Sequence, residues 1–191
     1  MLHYHGVIPL PPSLRDAIDY TDEGFKDARI ATKEGGEILP EVRSSKIKFI
    51  PQNTLIGAFF RQHISEINER YFKYDLDFGY SEKSLQYAKY YVGDHYRWHT
   101  DIIPNKVRKL SFSVVMNDDF EGGEFQIATP TSNLKYNSEE VFFDQEYTIH
   151  TVPTELGSVI VFPSDNFHRV KPVTKGVRKS IVGWITGPPF R

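Results

Sequence analysis

Four residues in this chain have types and an order that could do chemistry together: His99 and Asp101 in YRWHTD, His168 in SDNFHRV, and Arg178 in GVRKS. Two imidazoles and one carboxylate can occupy one face of an octahedral metal ion. The opposite face then stays open to small ligands, the arrangement that supports oxygen chemistry at non-haem Fe(II). The chain has no cysteine, which excludes thiolate ligands, disulfides and cysteine nucleophiles. A set of two nitrogens and one oxygen suits Fe(II), Mn(II) or Zn(II). His99 and Asp101 are two residues apart. In extended backbone such residues point to one face, so both can reach the same ion. His168 must arrive from a distant strand end, after SVIVFP and the loop SDNF. His-x-Asp alone arises by chance. Followed by a distant His and then an Arg ten residues on, at the start of the last strand, it is far more specific.

Arg178 supplies the anion-binding part. Strand parity places Arg178, Ser180, Val182 and Trp184 on one face, and Lys179, Ile181 and Ile185 on the other. A guanidinium pointing into an apolar, Trp-lined interior is costly unless it meets an anion. Its planar fork matches a carboxylate in bidentate fashion. Lys179 is the rival, disfavoured by parity, and an internal Asp or Glu is the alternative partner for Arg178.

The remaining five histidines are read as structural. His3 and His5 fall in a terminus expected to be mobile, and His63 falls on the polar face of a helix. His95 is expected in the turn after Gly93, and His150 at a strand end, where HTVP could still lie near a barrel mouth.

These side chains need a scaffold. The first half of the chain looks helical with interruptions. Pro11 and Pro12 precede Ser13, an expected N-cap for SLRDAIDY, and EGGEILPE is expected as a loop. SSKIKFI alternates Ile47 and Phe49 with polar neighbours and predicts a half-buried strand. Asn53 is the expected cap of a helix through TLIGAFFRQHISEINERYF. Its stripe of Ile56, Phe60, Ile64 and Ile67 should pack outside a sheet. Beyond about residue 85, stretches rich in β-branched and aromatic residues predict strands at 87–92, 109–116, 123–128, 141–149, 158–163 and 179–186. Asn117-Asp118-Asp119, Gly122-Gly123, Gly157 and Gly176 punctuate them as turns. The expected class is mainly β with flanking N-terminal helices: a double-stranded β-helix (jelly roll, cupin-like) whose mouth can enclose a ligand. One domain is expected over 1–191, with 1–84 as a supporting region and 85–191 as the jelly-roll core.

Composition narrows the function classes. Aromatics make up 14% of the 191 residues, which argues against disorder, and the length suffices for a sizeable core. Net charge is −2 with no Lys/Arg block, so neither a nucleic acid nor a membrane surface is an expected partner. MLHYHGVIPLPPSLRD has no basic n-region and no apolar h-region, and no run is long enough to span a bilayer; a cytoplasmic location is expected.

With these residues in view, the chain resembles the iron(II)/2-oxoglutarate-dependent dioxygenases, in particular the prolyl 4-hydroxylase-like family. Tyr90, Gly93, Tyr96, His99 and Asp101 match that family's Y-x-x-G-x-x-Y-x-x-H-x-D pattern, and Gly122-Gly123 match its Gly-Gly turn. His168, Arg178 and Trp184 match its distal His, basic residue and following Trp. The resemblance covers about Tyr90 to Trp184. It implies Fe(II) held by His99, Asp101 and His168, and 2-oxoglutarate as cosubstrate with its C5 carboxylate on Arg178. It also implies a Tyr90 hydroxyl near that carboxylate, a core tyrosine being the alternative reading of Tyr90, with O2 as oxidant and room for ascorbate. The implied reaction is hydroxylation of an unactivated C–H bond with succinate and CO2 as co-products. Segment 129–155 is longer than the connection common in bacterial members. Its aromatics (Tyr136, Phe142, Phe143, Tyr147) and acids (Glu139, Glu140, Asp144, Glu146) suit an extended peptide. That segment and the loop around Asp94 to Trp98 are expected to bound the mouth.

Two other classes fit some of these residues. One is a non-catalytic jelly-roll binding module, against which the intact set of ligands and Arg178 argues. The other is a cupin-like metal isomerase or hydrolase in which Arg178 binds a substrate carboxylate. The acceptor could be a peptidyl residue, with proline first by resemblance, or a free amino acid or small metabolite.

Overall fold

The computed structural model describes residues 2–19, 24–32, 35–78, 84–103, 106–136 and 141–189, with the side chains of 19, 31, 32, 35, 84, 131–136 and 141–146 outside that set. Two antiparallel sheets make the body of the protein. The larger has seven strands in the order Tyr4–Val7, Ser158–Pro163, Arg108–Val115, Arg178–Thr186, Ser84–Tyr90, Lys46–Pro51 and Lys26–Asp27. The smaller has five: Val141–Val152, Phe125–Tyr136, Phe167–Val170, His95–His99 and Arg43–Ser44. Sequential strands are rarely neighbours, so the chain crosses repeatedly between sheets, as a jelly roll requires.

Side-chain alternation divides the larger sheet into two working faces. Leu110, Phe112, Val114, Val159, Val161 and Ile181 join a core cluster under helix α2 (Leu55–Ile67), whose Phe60, Ile64 and Ile67 are buried against it. Each such burial contributes roughly 1.5–3 kcal/mol. The intervening residues face the smaller sheet. Ala88, Tyr90, Ile160 and Phe162 there meet Phe125, Ile127 and Val170 in a second cluster. The site described below opens within this inter-sheet layer.

Gly183 shows how tightly the outer face is filled. A Cβ there would collide with the Phe112 ring and come within 3.1 Å of Leu85 Cδ2. Phe112 in turn stacks on Phe60 of α2 at 6.3 Å between centroids. Gly183→Ala is therefore expected to destabilise the fold by roughly 1–3 kcal/mol through overpacking. Denaturant melts of the two proteins measure it, and a midpoint equal to the parent's would contradict this packing.

Several expectations are corrected. The N-terminus is not a loose tail: Tyr4–Val7 pairs with Ser158–Val161 as an edge strand, which places His5 against Ser158. EGGEILPE is not all loop, because Gly35–Glu37 pairs with Ile30–Thr32. The first half is thus richer in strand than its composition suggests. A short helix (α1, Pro12–Asp19) begins one residue before the expected cap. The cap of α2 is Thr54 rather than Asn53: the Thr54 hydroxyl accepts from the Gly57 N–H at 3.2 Å. Phe49 is 58% exposed, since its strand lies one place from the sheet edge and Ile50 takes the buried position instead. His95 begins a strand rather than a turn, and His168 lies near the start of the strand Phe167–Val170. The 129–155 segment forms a long hairpin, Phe125–Tyr136 with Val141–Val152, at the edge of the smaller sheet. No helix among the described residues is long and apolar enough to cross a membrane.

Candidate active site

His99, Asp101 and His168 meet although His168 lies far along the chain. The strands His95–His99 and Phe167–Val170 are neighbours, and His168 pairs directly with His99 across the ladder. Asp101 follows the end of the first of these strands, and its backbone N–H donates to the Ser164 carbonyl at 2.9 Å. The ligating atoms of the three side chains all lie within 4.8 Å of one another. His168 Nε2 is 3.5 Å from Asp101 Oδ2, and His99 Nε2 is 3.9 Å from Asp101 Oδ1.

Both rings are held in one tautomer. His99 Nδ1 lies 2.8 Å from the Arg97 carbonyl and His168 Nδ1 lies 2.9 Å from the Asn166 carbonyl. A carbonyl can only accept, so each Nδ1 carries a proton and each Nε2 is the nitrogen turned toward Asp101. This is the orientation that metal-ligating histidines adopt. Ring contacts hold them further. Tyr96 lies flat on His99 at 3.5 Å between centroids, and His168 packs on Phe162 at 4.7 Å.

Electrostatics favours ligation. Burial, reinforced by the neighbouring His168, pushes the His99 imidazole down to about 3 and keeps it neutral. Burial opposes ionisation of Asp101, but His168 and His99 outweigh it, and the carboxyl stays below its ordinary value. The Ser111 hydroxyl helps, and Trp184 presents its buried ring N–H to the same carboxylate without closing a standard hydrogen bond.

Arg178 lies on the same cavity's wall. The expected parity holds: Arg178, Ser180, Val182 and Trp184 all line the cavity, about 270 Å³ in volume, while Ile181 and Ile185 pack under the helix layer. Arg178 is 1% exposed and its Nη1 donates to Ser180 Oγ at 2.9 Å. Its Nε and Nη2 have no hydrogen-bond partner among the described residues. Those two nitrogens form one edge of the fork, the edge that meets a carboxylate through two parallel bonds. Burial lowers the guanidinium's affinity for its proton, as expected of a buried cation lacking a counter-ion. Tyr90 pairs with Arg178 across the ladder, with the guanidinium 5.6 Å from its ring centre. The residues thus fit a metal ion and, beside it, a small ligand ending in a carboxylate. Room is kept at Gly123, whose φ is 63° and where a Cβ would come within 2.9 Å of Arg178 Cδ.

Some site residues escaped the sequence reading. Arg29, Ile30, Ile102 and Ile103 line the cavity, whereas no described residue of 129–155 does. Among the described residues, the hairpin carrying Ile30 and the segment after Asp101 thus contribute to the cavity wall. Of the loop Asp94–Trp98, only Tyr96 lines it. The side chains of Tyr136, Glu139, Glu140, Phe142, Phe143, Asp144 and Glu146 lie outside the described residues; Tyr147 packs edge-on to Phe167 at 6.1 Å. Arg43 was also missed. It is buried, donates to Ser45 Oγ at 3.0 Å and covers the Tyr96 ring at 4.6 Å, completing a stack that ends on His99. Arg108 donates to the Asp101 carbonyl at 3.0 Å and covers Trp184 at 4.4 Å. Nothing in the local pattern of VRSSK or KVRKL distinguishes these arginines from surface ones. Of the other histidines, His150 bonds Thr129 Oγ1 at 3.0 Å and contacts His3 at 4.9 Å between centroids, away from the cavity.

Comparison with known proteins agrees with this geometry. A PKHD-type hydroxylase of Synechococcus sp. is 36% identical over 106 residues, which cover 53% of this chain and 40% of that protein. A PKHD-type hydroxylase of Gloeothece citriformis is 34% identical over 108 residues, 53% of this chain and 42% of that one. The matched stretch thus spans less than half the length of these relatives. A Pseudomonas putida prolyl-4-hydroxylase superposes with a TM-score of 0.67 at 20% identity, covering 98% of this chain and 93% of that one. A Trichoplax adhaerens prolyl hydroxylase, in complex with a peptide fragment of the hypoxia inducible factor oxygen degradation domain, gives 0.69 at 17% identity, covering 96% and 83%. At those identities the likeness is one of fold. The family model described as the 2OG-Fe(II) oxygenase superfamily matches residues 85–186, from the strand carrying Tyr90 to the strand carrying Arg178 and Trp184, so the chain belongs to that superfamily.

Proposed function

We propose that this protein is an iron(II)- and 2-oxoglutarate-dependent hydroxylase. The observation that carries the reading is a two-histidine, one-carboxylate cluster together with a fully buried arginine on the wall of the same cavity, whose Nε and Nη2 have no hydrogen-bond partner among the described residues. His99, Asp101 and His168 hold the metal through Nε2, a carboxylate oxygen and Nε2. Arg178 holds the distal carboxylate of the cosubstrate, and Tyr90 adds its hydroxyl beside it. When bound, the metal and 2-oxoglutarate with O2 supply the oxidation of an unactivated C–H bond, with succinate and CO2 as co-products.

The chain's own residues do the rest. The Arg97 and Asn166 carbonyls accept from Nδ1 of His99 and His168 and so leave Nε2 of each ring as the nitrogen available to a metal. Ser180 fixes one arm of the guanidinium so that the other edge meets the cosubstrate. Phe125, Phe162, Val182 and Trp184 line the cavity and exclude water from the reacting centre. No side chain is needed as acid or base.

The acceptor is proposed to be a peptidyl residue, prolyl first. The PKHD-type hydroxylases and the prolyl hydroxylase folds among its relatives support that choice. A free amino acid or small anionic metabolite is the second reading. It is favoured by Arg29, Arg43, Arg108 and Arg178 around a cavity of about 270 Å³ whose lining includes one carboxylate, Asp101, among the described residues. Incubation with Fe(II) and 2-oxoglutarate against panels of proline-containing peptides and free amino acids separates the two. Peptide-stimulated succinate release and a peptide mass gain of about 16 Da, one oxygen atom, are expected. Stimulation by free amino acids with peptides silent selects the second reading. No succinate with any acceptor, and none without, contradicts the hydroxylase assignment itself.

A further inference from the structure

Arg178 stands at the first position of its strand, where a sheet ordinarily frays. On one side it is held by the ladder to Tyr90. On the other side the ladder to Arg108–Val115 stops at Ser180 opposite Val115, with one further backbone bond from the Met116 N–H to the Lys179 carbonyl at 3.0 Å. Beyond that point the neighbouring chain turns away, so both peptide units flanking Arg178 would lose their partners.

Asn117 supplies those partners with its side chain. The Lys179 N–H donates to Asn117 Oδ1 at 2.7 Å, and Asn117 Nδ2 donates to the Val177 carbonyl at 2.7 Å. A primary amide carries one carbonyl acceptor and two donor hydrogens, so it can offer the one acceptor and one donor of a peptide unit with a further hydrogen to spare. Here the amide grips the residue before and the residue after Arg178, and thereby extends the sheet by one position. The second Nδ2 hydrogen goes to Asp119 Oδ1, which sets the rotation of the amide. The requirement is specific. Alanine offers neither group, and aspartate accepts from Lys179 but cannot donate to Val177 and stands beside Asp119.

We propose that Asn117 is a positioning residue for the cosubstrate pocket: it acts through Arg178 by clamping the two peptide units on either side of it. The inference rests on the reading that Arg178 binds the distal carboxylate of 2-oxoglutarate. A guanidinium that is fully buried with an unpaired edge gains by escaping toward water. Only a backbone held on both sides keeps that edge aimed at the ligand before the ligand arrives. The residue reads in sequence as an ordinary turn former after the strand KLSFSVVM. Its side chain is committed instead to residues about sixty positions later.

The test compares two 2-oxo acids on the full chain loaded with Mn(II): 2-oxoglutarate, and 2-oxopentanoate, which has a methyl group in place of the distal carboxylate. Binding is followed by calorimetry for the parent, Asn117→Ala, Arg178→Ala and the double variant. Asn117→Ala is expected to weaken 2-oxoglutarate binding by about tenfold, the scale of a buried hydrogen bond left unmade. It should leave Mn(II) and 2-oxopentanoate binding unchanged and add nothing in the Arg178→Ala background. Asn117→Asp, which keeps the shape and the bond from Lys179 but sets an oxygen against the Val177 carbonyl and Asp119, should show the same selectivity with a loss at least as large, and gives a second measurement if Asn117→Ala does not fold. Equal losses for both acids, an unchanged affinity for 2-oxoglutarate, or full additivity with Arg178→Ala would each overturn the proposal while leaving the hydroxylase reading in place. A parent protein that binds Mn(II) but shows no preference for 2-oxoglutarate over 2-oxopentanoate would overturn the reading of Arg178 and this inference with it.

Discussion

His99→Ala and His168→Ala are each expected to lower metal affinity by well over a hundredfold. Changes to the groups that merely orient a ligand already cost about 10–100-fold, and these substitutions remove a ligand itself. Each ring is fixed at Nδ1 by a backbone carbonyl and presents Nε2 to the same point. No other His, Asp or Glu among the described residues forms a comparable cluster that could take over. Asp101→Ala should do the same, because it removes the only carboxylate lining the cavity among the described residues. His63→Ala and His150→Ala, whose rings bond Phe59 and Thr129 elsewhere in the fold, should leave metal binding untouched. Equilibrium titration of Fe(II) under anaerobic conditions, or of Mn(II) or Co(II) in air, measures all of these. Parent-like affinity in both His99→Ala and His168→Ala would contradict the assignment.

Arg178→Ala is expected to weaken 2-oxoglutarate binding by more than about a hundredfold while leaving metal binding nearly intact. Leaving one member of a buried charge pair alone costs about 3–5 kcal/mol, and each 1.4 kcal/mol is roughly a factor of ten. The unbonded Nε–Nη2 edge is the reason for so large an effect, since no hydrogen-bond partner meets it among the described residues. The same fact predicts the sign of the stability change. Without ligand, Arg178 is a buried cation with no counter-ion, so Arg178→Met, which keeps most of the volume and removes the charge, should melt no lower than the parent. Lys179→Ala should barely affect the cosubstrate, because Lys179 shares the parity of Ile181, which packs under the helix layer. A larger loss from Lys179→Ala than from Arg178→Ala would reverse the strand parity and move the anion site.

Part of this protein was legible in its residues alone. Hydrophobic alternation reports which face of a strand is buried, and that sufficed to send Arg178, Ser180, Val182 and Trp184 inward together. The i, i+2 spacing of His99 and Asp101 marked both as ligands of one point; the strand ends at His99, and Asp101 is held there by its N–H on the Ser164 carbonyl. The stripe Phe60, Ile64 and Ile67 likewise marked α2 as a helix lying on a sheet. What local pattern cannot contain is the identity of the chain standing opposite. Tyr4–Val7 looks like a loose terminus until Val161 and Ser158 supply its hydrogen-bonding partners. Gly35–Glu37 looks like a loop until the hairpin closes on Ile30–Thr32. The long 129–155 segment was expected to bound the cavity; none of its described residues lines it, while Arg29, Ile30, Ile102 and Ile103, from segments with no such mark, do. Arg43 and Asn117 carry no local mark at all. Arg43 becomes part of the site because its strand pairs with His95–His99, bringing it over Tyr96, and Asn117 because the ladder beside Arg178 ends one residue too soon. Both depend on register between segments far apart in the chain. Register is settled by the packing of the whole sheet, a sum over many contacts that no short stretch of sequence encodes.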